Sequence, residues 1–465
     1  MGSQMGTMSE VLADFIVNTN FRNIPPEAIK VSKTAMMDTI GVNLCASCSE
    51  PVSSLFEKFV EGMGGRPDAS IIGTSLKCAP PYAAMVNGTL AHYLDYDDIC
   101  FQMRGHPSVA IAPAILALGE KYFCSGKEVL ESYVVGFEVM AKIGSVIALD
   151  HSEKGWHTTG TLGTIGATAA SAKILKLDRE KTVMALGIGA SKASGLRQNF
   201  GTICKPLHAG NAAKSGVEAA MLAEMGLTSS KNIWEGKYGF LDTFMNGGAY
   251  DLQKVLERLG QPFSVISPGI VFKKYPSCSS THVAIEAMLR LISTYNITPE
   301  RVKSINCDVN YRVPQDLIHH DPKTGAQGRF SMEFCLATAL IERRVDLGQF
   351  EDRKVNDPQI RNIMKKVQMN VPPELQNRDK VDAGYTMVTI ELIDGQKHSF
   401  RLENSSIKGF PSNPLTREEL LEKYRKCAER SALKREQMDR SIELIEHLER
   451  VTNIKELMDI LSLEG

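Results

Sequence analysis

From about residue 10 to residue 230 the chain places apolar residues at three- and four-residue spacing, with few interruptions and many small residues between them. That spacing is the helical period, and stretches such as 109–117, 129–146, 162–174 and 212–225 read as helices packed closely on one another. The glycines of Gly160-x-x-Gly163-x-x-Gly166 are expected along one helix face, where a missing side chain lets another backbone approach. After Pro262 the texture changes. Residues 304–309, 367–371 and 385–392 read as strands, and Asp394-Gly395 followed by 398–402 reads as a hairpin turn with its return strand. Helical stretches at 281–295 and 332–341 lie among them, giving an α+β unit. Helical spacing resumes from Thr416, where Thr416 and Glu419 stand at the interval of a capping box. The expected fold is therefore mostly α: a large all-helical domain begun by residues 8–265, a smaller α+β lid domain at 266–405, and C-terminal helices at 406–465 that return to the first.

Charge removes several functions. With 53 basic and 54 acidic side chains the chain lacks the positive excess that attracts nucleic acid. Apolar stretches are broken by charge, Gly or Pro before the roughly 18 residues of a membrane span, so no membrane partner is expected. The first eight residues show no basic segment followed by an apolar one, and ten thinly spread cysteines fit a reducing, cytoplasmic setting. Cys45-x-x-Cys48 has no second ligand pair and sits among apolar residues, which favours burial over zinc. Phosphate-loop, nucleophile-elbow and dinucleotide-fingerprint motifs are missing.

Four polar segments interrupt the apolar background. The first runs from Asn87 through His92, Asp95, Asp97 and Asp98 to Arg104-Gly105-His106-Pro107-Ser108. Were it helical to its end, His92, Asp95 and Asp98 would share a face, with Arg104 and His106 compensating the acids; a solvated helix end is the plainer alternative. The second, Gly155-Trp156-His157-Thr158-Thr159-Gly160, precedes an apolar helix, as an anion-binding or a simple capping segment does. The third, from Arg197 through Lys205 and His208 to Lys214, suits carboxylate binding. In the fourth, Lys273 and Lys274 are adjacent, so one faces a cleft and the other solvent. His319 and His320 lack a partner at metal-ligand spacing, and no metal is expected. Lysines and histidines on turns of a helical scaffold suit a small polycarboxylate: cations stabilise an accumulating carbanion or enolate, and a histidine or lysine moves the proton. Two rival readings stand beside this, a Mg²⁺-dependent all-α diphosphate enzyme using the aspartates at 95–98 and a noncatalytic helical scaffold.

Taken in order, residues 87–98, 104–108, 155–157, 205–213, 273–276 and 321–334 resemble the MmgE/PrpD family over nearly the whole chain. The resemblance implies a helical domain built from both chain ends, an α+β lid, a homodimer and no required cofactor or metal. It also implies a lyase that dehydrates or decarboxylates a citrate- or aconitate-like acid, or alternatively an isomerase that epimerises an iminodisuccinate-like dicarboxylate. The family's catalytic pattern falls on Asp95, His106, His157, Lys205 and Lys273, with Tyr311 a looser match. Arg104, Trp156, His208, Lys274 and Tyr311 are expected to touch substrate. Animal-type decarboxylases carry a Thr after Asp-x-Asp-Asp where this chain has Ile99, and the segment to His106 is one residue longer. Residues 103–108, 197–202 and 321–325 are more similar to the bacterial branch that contains the epimerase.

Overall fold

A computed structural model describes residues 6–245, 250–251, 255–256, 258–378 and 384–463, so most of the N-terminal segment weighed as a leader lies outside the described residues. The helical region is built around α1 (Pro26–Ser47), α2 (Pro80–Tyr93), α3 (Ser108–Tyr122), α4 (Gly126–Glu153), α5 (Thr158–Ile174), α6 (Arg179–Lys192) and α7 (Cys204–Glu224). Helix α5 is central and packs against α3, α4, α6 and α7. Its glycines make this possible, but not along one face. Three residues turn a helix about 60° short of a full circle; a side chain on Gly160 would meet the Ser194 carbonyl, one on Gly163 would meet Ala110, and one on Gly166 would meet Met140. Each glycine thus serves a different neighbour. Helix α4 is, by length and composition, apolar enough to cross a membrane, yet it is mostly buried in the protein's own core.

The second apolar core belongs to α8 (Ser279–Thr294), α9 (Met332–Glu342) and four strands: β1 (Val302–Asp308), β2 (Val367–Asn370), β3 (Tyr385–Leu392) and β4 (Lys397–Glu403). Strand order is β2-β1-β3-β4, with β1 and β2 parallel and the other pairs antiparallel. A parallel pair needs a long crossover, and α9 lies within it. Alternate residues of β3, Thr386, Val388, Ile390 and Leu392, are buried, while those between are only half-buried, as in a sheet covered on one face. The chain is mostly α with one small sheet in its C-terminal half, the expected class.

Helices α10 (Arg417–Ala428) and α11 (Arg435–Glu446) leave this core and pack on α1, with Tyr424, Ile445 and Leu457 joining the first apolar cluster. Thr416 and Glu419 do form a capping box at the start of α10. Cys45 is buried, Cys48 is exposed and all ten cysteines are free.

Helices α5 and α7 approach closely, since a Cβ on Gly216 would lie 2.5 Å from Ala167. Gly216→Ala is expected to cost about 1–3 kcal/mol through overpacking. Urea denaturation reads this as a lower midpoint at unchanged slope.

Candidate active site

Between the two apolar cores lies a cavity of about 170 Å³, against roughly 10–15 Å³ for one water molecule, so it has room for a metabolite. Asp95, Arg104, His106, Trp156, His157 and Lys205 line it from the helical side. These come from distant stretches, each at a helix end. Helix α2 stops at Tyr93, and Asp95 takes a left-handed backbone angle (φ 51°) that aspartate tolerates better than most residues. The turn aims its carboxylate at two ammonium groups. Lys205, in the first turn of α7, donates to Asp95 Oδ1 at 2.9 Å, and Lys273 donates to the same oxygen at 3.1 Å and to the Asp95 carbonyl at 2.7 Å. All three side chains are at least 95% buried.

Early helix termination also corrects the expectation for Asp98. It does not share a face with His92 and Asp95 but enters the core, where its carboxyl accepts from Ser108, whose hydroxyl also contacts Tyr133. Burial, then the neighbouring Asp38, raises its pKa well above the usual range, which keeps it a neutral hydrogen-bonding group.

Asp97 orients two histidines. Its Oδ2 is hydrogen-bonded to His92 Nδ1 at 2.9 Å and lies 2.8 Å from His106 Nδ1, a close contact off the hydrogen-bond axis. Protons on the two Nδ1 atoms leave both Nε2 atoms as lone pairs. His92 Nε2 accepts from Lys205 at 2.9 Å, whereas His106 Nε2 stands 3.6 Å from Asp95 Oδ1, beside the cavity. Burial drives His92 down to about 3, and it also lowers His106 against the pull of Asp97. Burial opposes ionisation of Asp95 and Asp97, but the lysines overcome it for the first and the histidines for the second. This pole therefore sets two lysine side chains against the carboxylates of Asp95 and Asp97.

His157 is the N-cap of α5, and its Nδ1 lies 3.0 Å from His208 Nδ1. Both are neutral: burial, then Lys205, lowers His157 well below its ordinary value and His208 to about 4. Phe200 meets the His157 ring edge-on, and Lys205 lies 5.6 Å over Phe200 and 5.1 Å over Phe330, which screens the ammonium from solvent.

Of the residues expected to contact substrate, Arg104 and Trp156 line the cavity. The other three are not brought there. His208 stands behind His157. Tyr311 donates to Glu153 at 2.9 Å. Lys274 pairs with Glu286 at 3.2 Å on the exposed side, because successive residues of an extended chain point opposite ways. Lys273 does not line the cavity either but supports Asp95 from beneath. Three important residues were absent from the expected site. His92 and Asp97 lie inside the acid-rich segment that signalled it. Lys423 of α10 carried no signal at all: its ammonium binds the carbonyls of Tyr96 and Lys273, at 2.7 and 3.0 Å, and pairs with Asp38 at 2.6 Å.

Donor atoms of His92, Asp95, Asp97 and His106 lie within 4.8 Å of one another, a set that suits a divalent cation. Here Lys205 and Lys273 already place positive charge on Asp95, and Lys205 takes the His92 Nε2 lone pair. The acids at 95–98 are thus engaged by histidines, lysines and a serine, and the four donor residues at 92–106 are the one such group among the described residues, without a facing acidic cluster of the kind a diphosphate–metal site needs.

A helical domain from both chain ends, a small α+β unit and a polar, histidine- and lysine-lined cavity between them define the class, and the chain belongs to the MmgE/PrpD family. The model of the family's N-terminal domain matches residues 10–253, and that of its C-terminal domain matches residues 275–450. Among individual proteins, the chain is 29% identical to a cis-aconitate decarboxylase of Mus musculus, covering 95% of this chain and 91% of that protein. It is 28% identical to the Homo sapiens cis-aconitate decarboxylase, covering 98% and 94%. Identity to the 2-methylcitrate dehydratase of Escherichia coli O157:H7 is 24%, covering 83% and 82%.

Buried neutral histidines make stability depend on pH. Burial pushes His92 and His282 down to about 3 and His151 and His208 to about 4. Unfolded, each titrates near 6.5, so between these values the unfolded chain binds more protons and stability falls as pH drops, by about 1.4 kcal/mol per group per pH unit. Asp38 and Asp98, raised by burial, offset part of this slope. The melting temperature is expected to fall as pH drops through that window, and His151→Gln is expected to flatten the dependence by about one proton.

Proposed function

We propose that this protein is a cofactor-independent lyase that acts at the carbon next to a carboxylate of a citrate- or aconitate-like tricarboxylate. One observation carries the reading: the His106 imidazole, whose Nε2 lies 3.6 Å from Asp95, lines the same cavity as the Lys205 ammonium, with Asp97 behind the imidazole and Asp95 beside both. Breaking a carbon–hydrogen or carbon–carboxyl bond leaves an electron pair beside a carboxylate. Lys205 stabilises the resulting ene-diolate charge, and His106 gives or takes the proton, its charged form supported by Asp97 and Asp95. His157, which also lines the cavity, is the second proton-transfer group.

Within this class we favour decarboxylation of cis-aconitate. The similar proteins matched over 95% or more of this chain are named decarboxylases or decarboxylase-like, whereas the named dehydratases match at most 83% of it. In that reaction the carboxymethyl carbon–carbon bond breaks and CO₂ leaves. The released pair forms a new terminal double bond, while the pair of the old double bond takes a proton from the protonated histidine. Ile99 lines the cavity as an apolar wall, with its backbone paired to Val271, so no hydroxyl is offered at that position.

Proton NMR in D₂O with cis-aconitate, 2-methylcitrate and iminodisuccinate separates the outcomes. CO₂ release from cis-aconitate with one solvent deuterium in the product is expected. Loss of water from 2-methylcitrate alone would move the assignment to dehydration, and deuterium exchange into iminodisuccinate without net loss of CO₂ or water would overturn the lyase reading. His106→Gln, folded by circular dichroism, is expected to lower kcat by about 10²–10⁴.

A further inference from the structure

The far wall of the cavity carries a second positive pole that the reaction centre does not use. Arg197 belongs to the helical region and Arg312 follows β1 in the α+β unit; both line the cavity. Their guanidinium groups converge on one carboxylate oxygen, Asp316 Oδ1, at 2.8 Å from Arg197 and 3.1 Å from Arg312. The other oxygen accepts from Ser280 at 3.1 Å. Two cations therefore share one anion. Glu153, the next acid nearby, accepts from Tyr311 and shares Arg378 with Asp150. Arg312 is only 8% exposed, and its Nη2 crosses between the two regions to Ser152 Oγ at 2.6 Å. Its Nη1 has no hydrogen-bond partner. A buried guanidinium that retains a free donor calls for an acceptor oxygen, and a carboxylate matches its planar fork.

We propose that Arg312, held in place by Asp316 and Ser152 and reinforced by Arg197, is the subsite for the substrate carboxylate farthest from the reacting carbon. It thereby sets a preference for tricarboxylates over dicarboxylates. This rests on the polycarboxylate reading above and adds to it the group that counts carboxylates. Around Asp95 both lysines are already engaged by its carboxylate, so Arg312 offers the unpaired donor for a further carboxylate.

Calorimetric titration with two unreactive acids tests it: propane-1,2,3-tricarboxylate and methylsuccinate, which lacks the third carboxylate. The parent protein is expected to bind the tricarboxylate at least about tenfold more tightly, and Arg312→Gln to weaken that ligand by about 10–100-fold, the worth of one charge-assisted buried hydrogen bond, while leaving methylsuccinate unchanged. Arg312→Lys, which keeps the charge but not the fork, is expected to be intermediate and serves if the glutamine variant fails to fold. In turnover the loss should appear in KM with kcat retained, as for a group that binds substrate and transition state alike. Because binding is read without reaction, a tricarboxylate preference that depends on Arg312 upholds the subsite even where no lyase activity is found. Turnover by the parent together with an Arg312→Gln variant that keeps the preference overturns the subsite alone. Equal affinity of the parent for the two acids overturns it too.

Discussion

One carboxylate oxygen organises this molecule's chemistry. Asp95 Oδ1 receives Lys205 from one side and Lys273 from the other, with all three groups out of water. Burying three charges costs several kcal/mol each, and attraction within the cluster offsets this only while the geometry holds. Loss of Asp95 would leave two adjacent buried cations without a counter-ion, so the turn that positions it is a structural as well as a chemical requirement. The left-handed backbone at Asp95 belongs to that requirement, because a continued helix would carry the carboxylate away from both lysines. Lys423 secures the same turn from behind. By binding the carbonyls of Tyr96 and Lys273 it ties together the two segments whose side chains form the ion cluster.

Rigidity for such a cluster comes from the glycine-dense helices around it. Helix α5 presents His157 from its N-cap and α7 presents Lys205 from its first turn, and the two helices approach so closely that Gly216 rests on Ala167. Small residues therefore act at a distance on the site: they fix the separation of two helix ends and hence of a neutral imidazole and an ammonium. The α+β unit contributes differently. It closes the cavity with Arg312, Cys278 and Phe330, and ties itself to the helical region through Arg197–Asp316 and His319–Phe200 contacts.

Local rules carried the reading of the chain where local forces decide. The four strands, the Asp394-Gly395 turn with Gly395 at positive φ, the Thr416 capping box and the helices on either side of the catalytic turns were legible because period, propensity and capping act within a few residues. The same is true of the Lys273/Lys274 alternation, which follows from extended geometry. Asp98 was misplaced because a helical extrapolation ignored how a run of acids ends a helix, and the glycines of α5 were assigned one partner where the fold supplies three. Lys423 and Arg312 were illegible for a deeper reason. Lys423 reaches carbonyls 327 and 150 residues away, and Arg312 matters only because a serine from α4 and an aspartate of its own turn leave one donor free. Neither relation has a sequence spacing.

Neutral histidines are consistent with the polycarboxylate-binding centre proposed above. Burial and the lysines disfavour a charged imidazole at His106 and His157 and favour the neutral form that accepts a proton. A bound carboxylate beside Lys205 cancels part of that positive field and favours the imidazolium, which Asp97 and Asp95 are placed to support. Under the proposed function, the acid that protonates a carbon after CO₂ loss and the base that removes a proton before water leaves are two states of one group whose balance the ligand's own charge shifts. On that proposal a single constellation suits both bond cleavages, and what would separate them is where the remaining carboxylates are held.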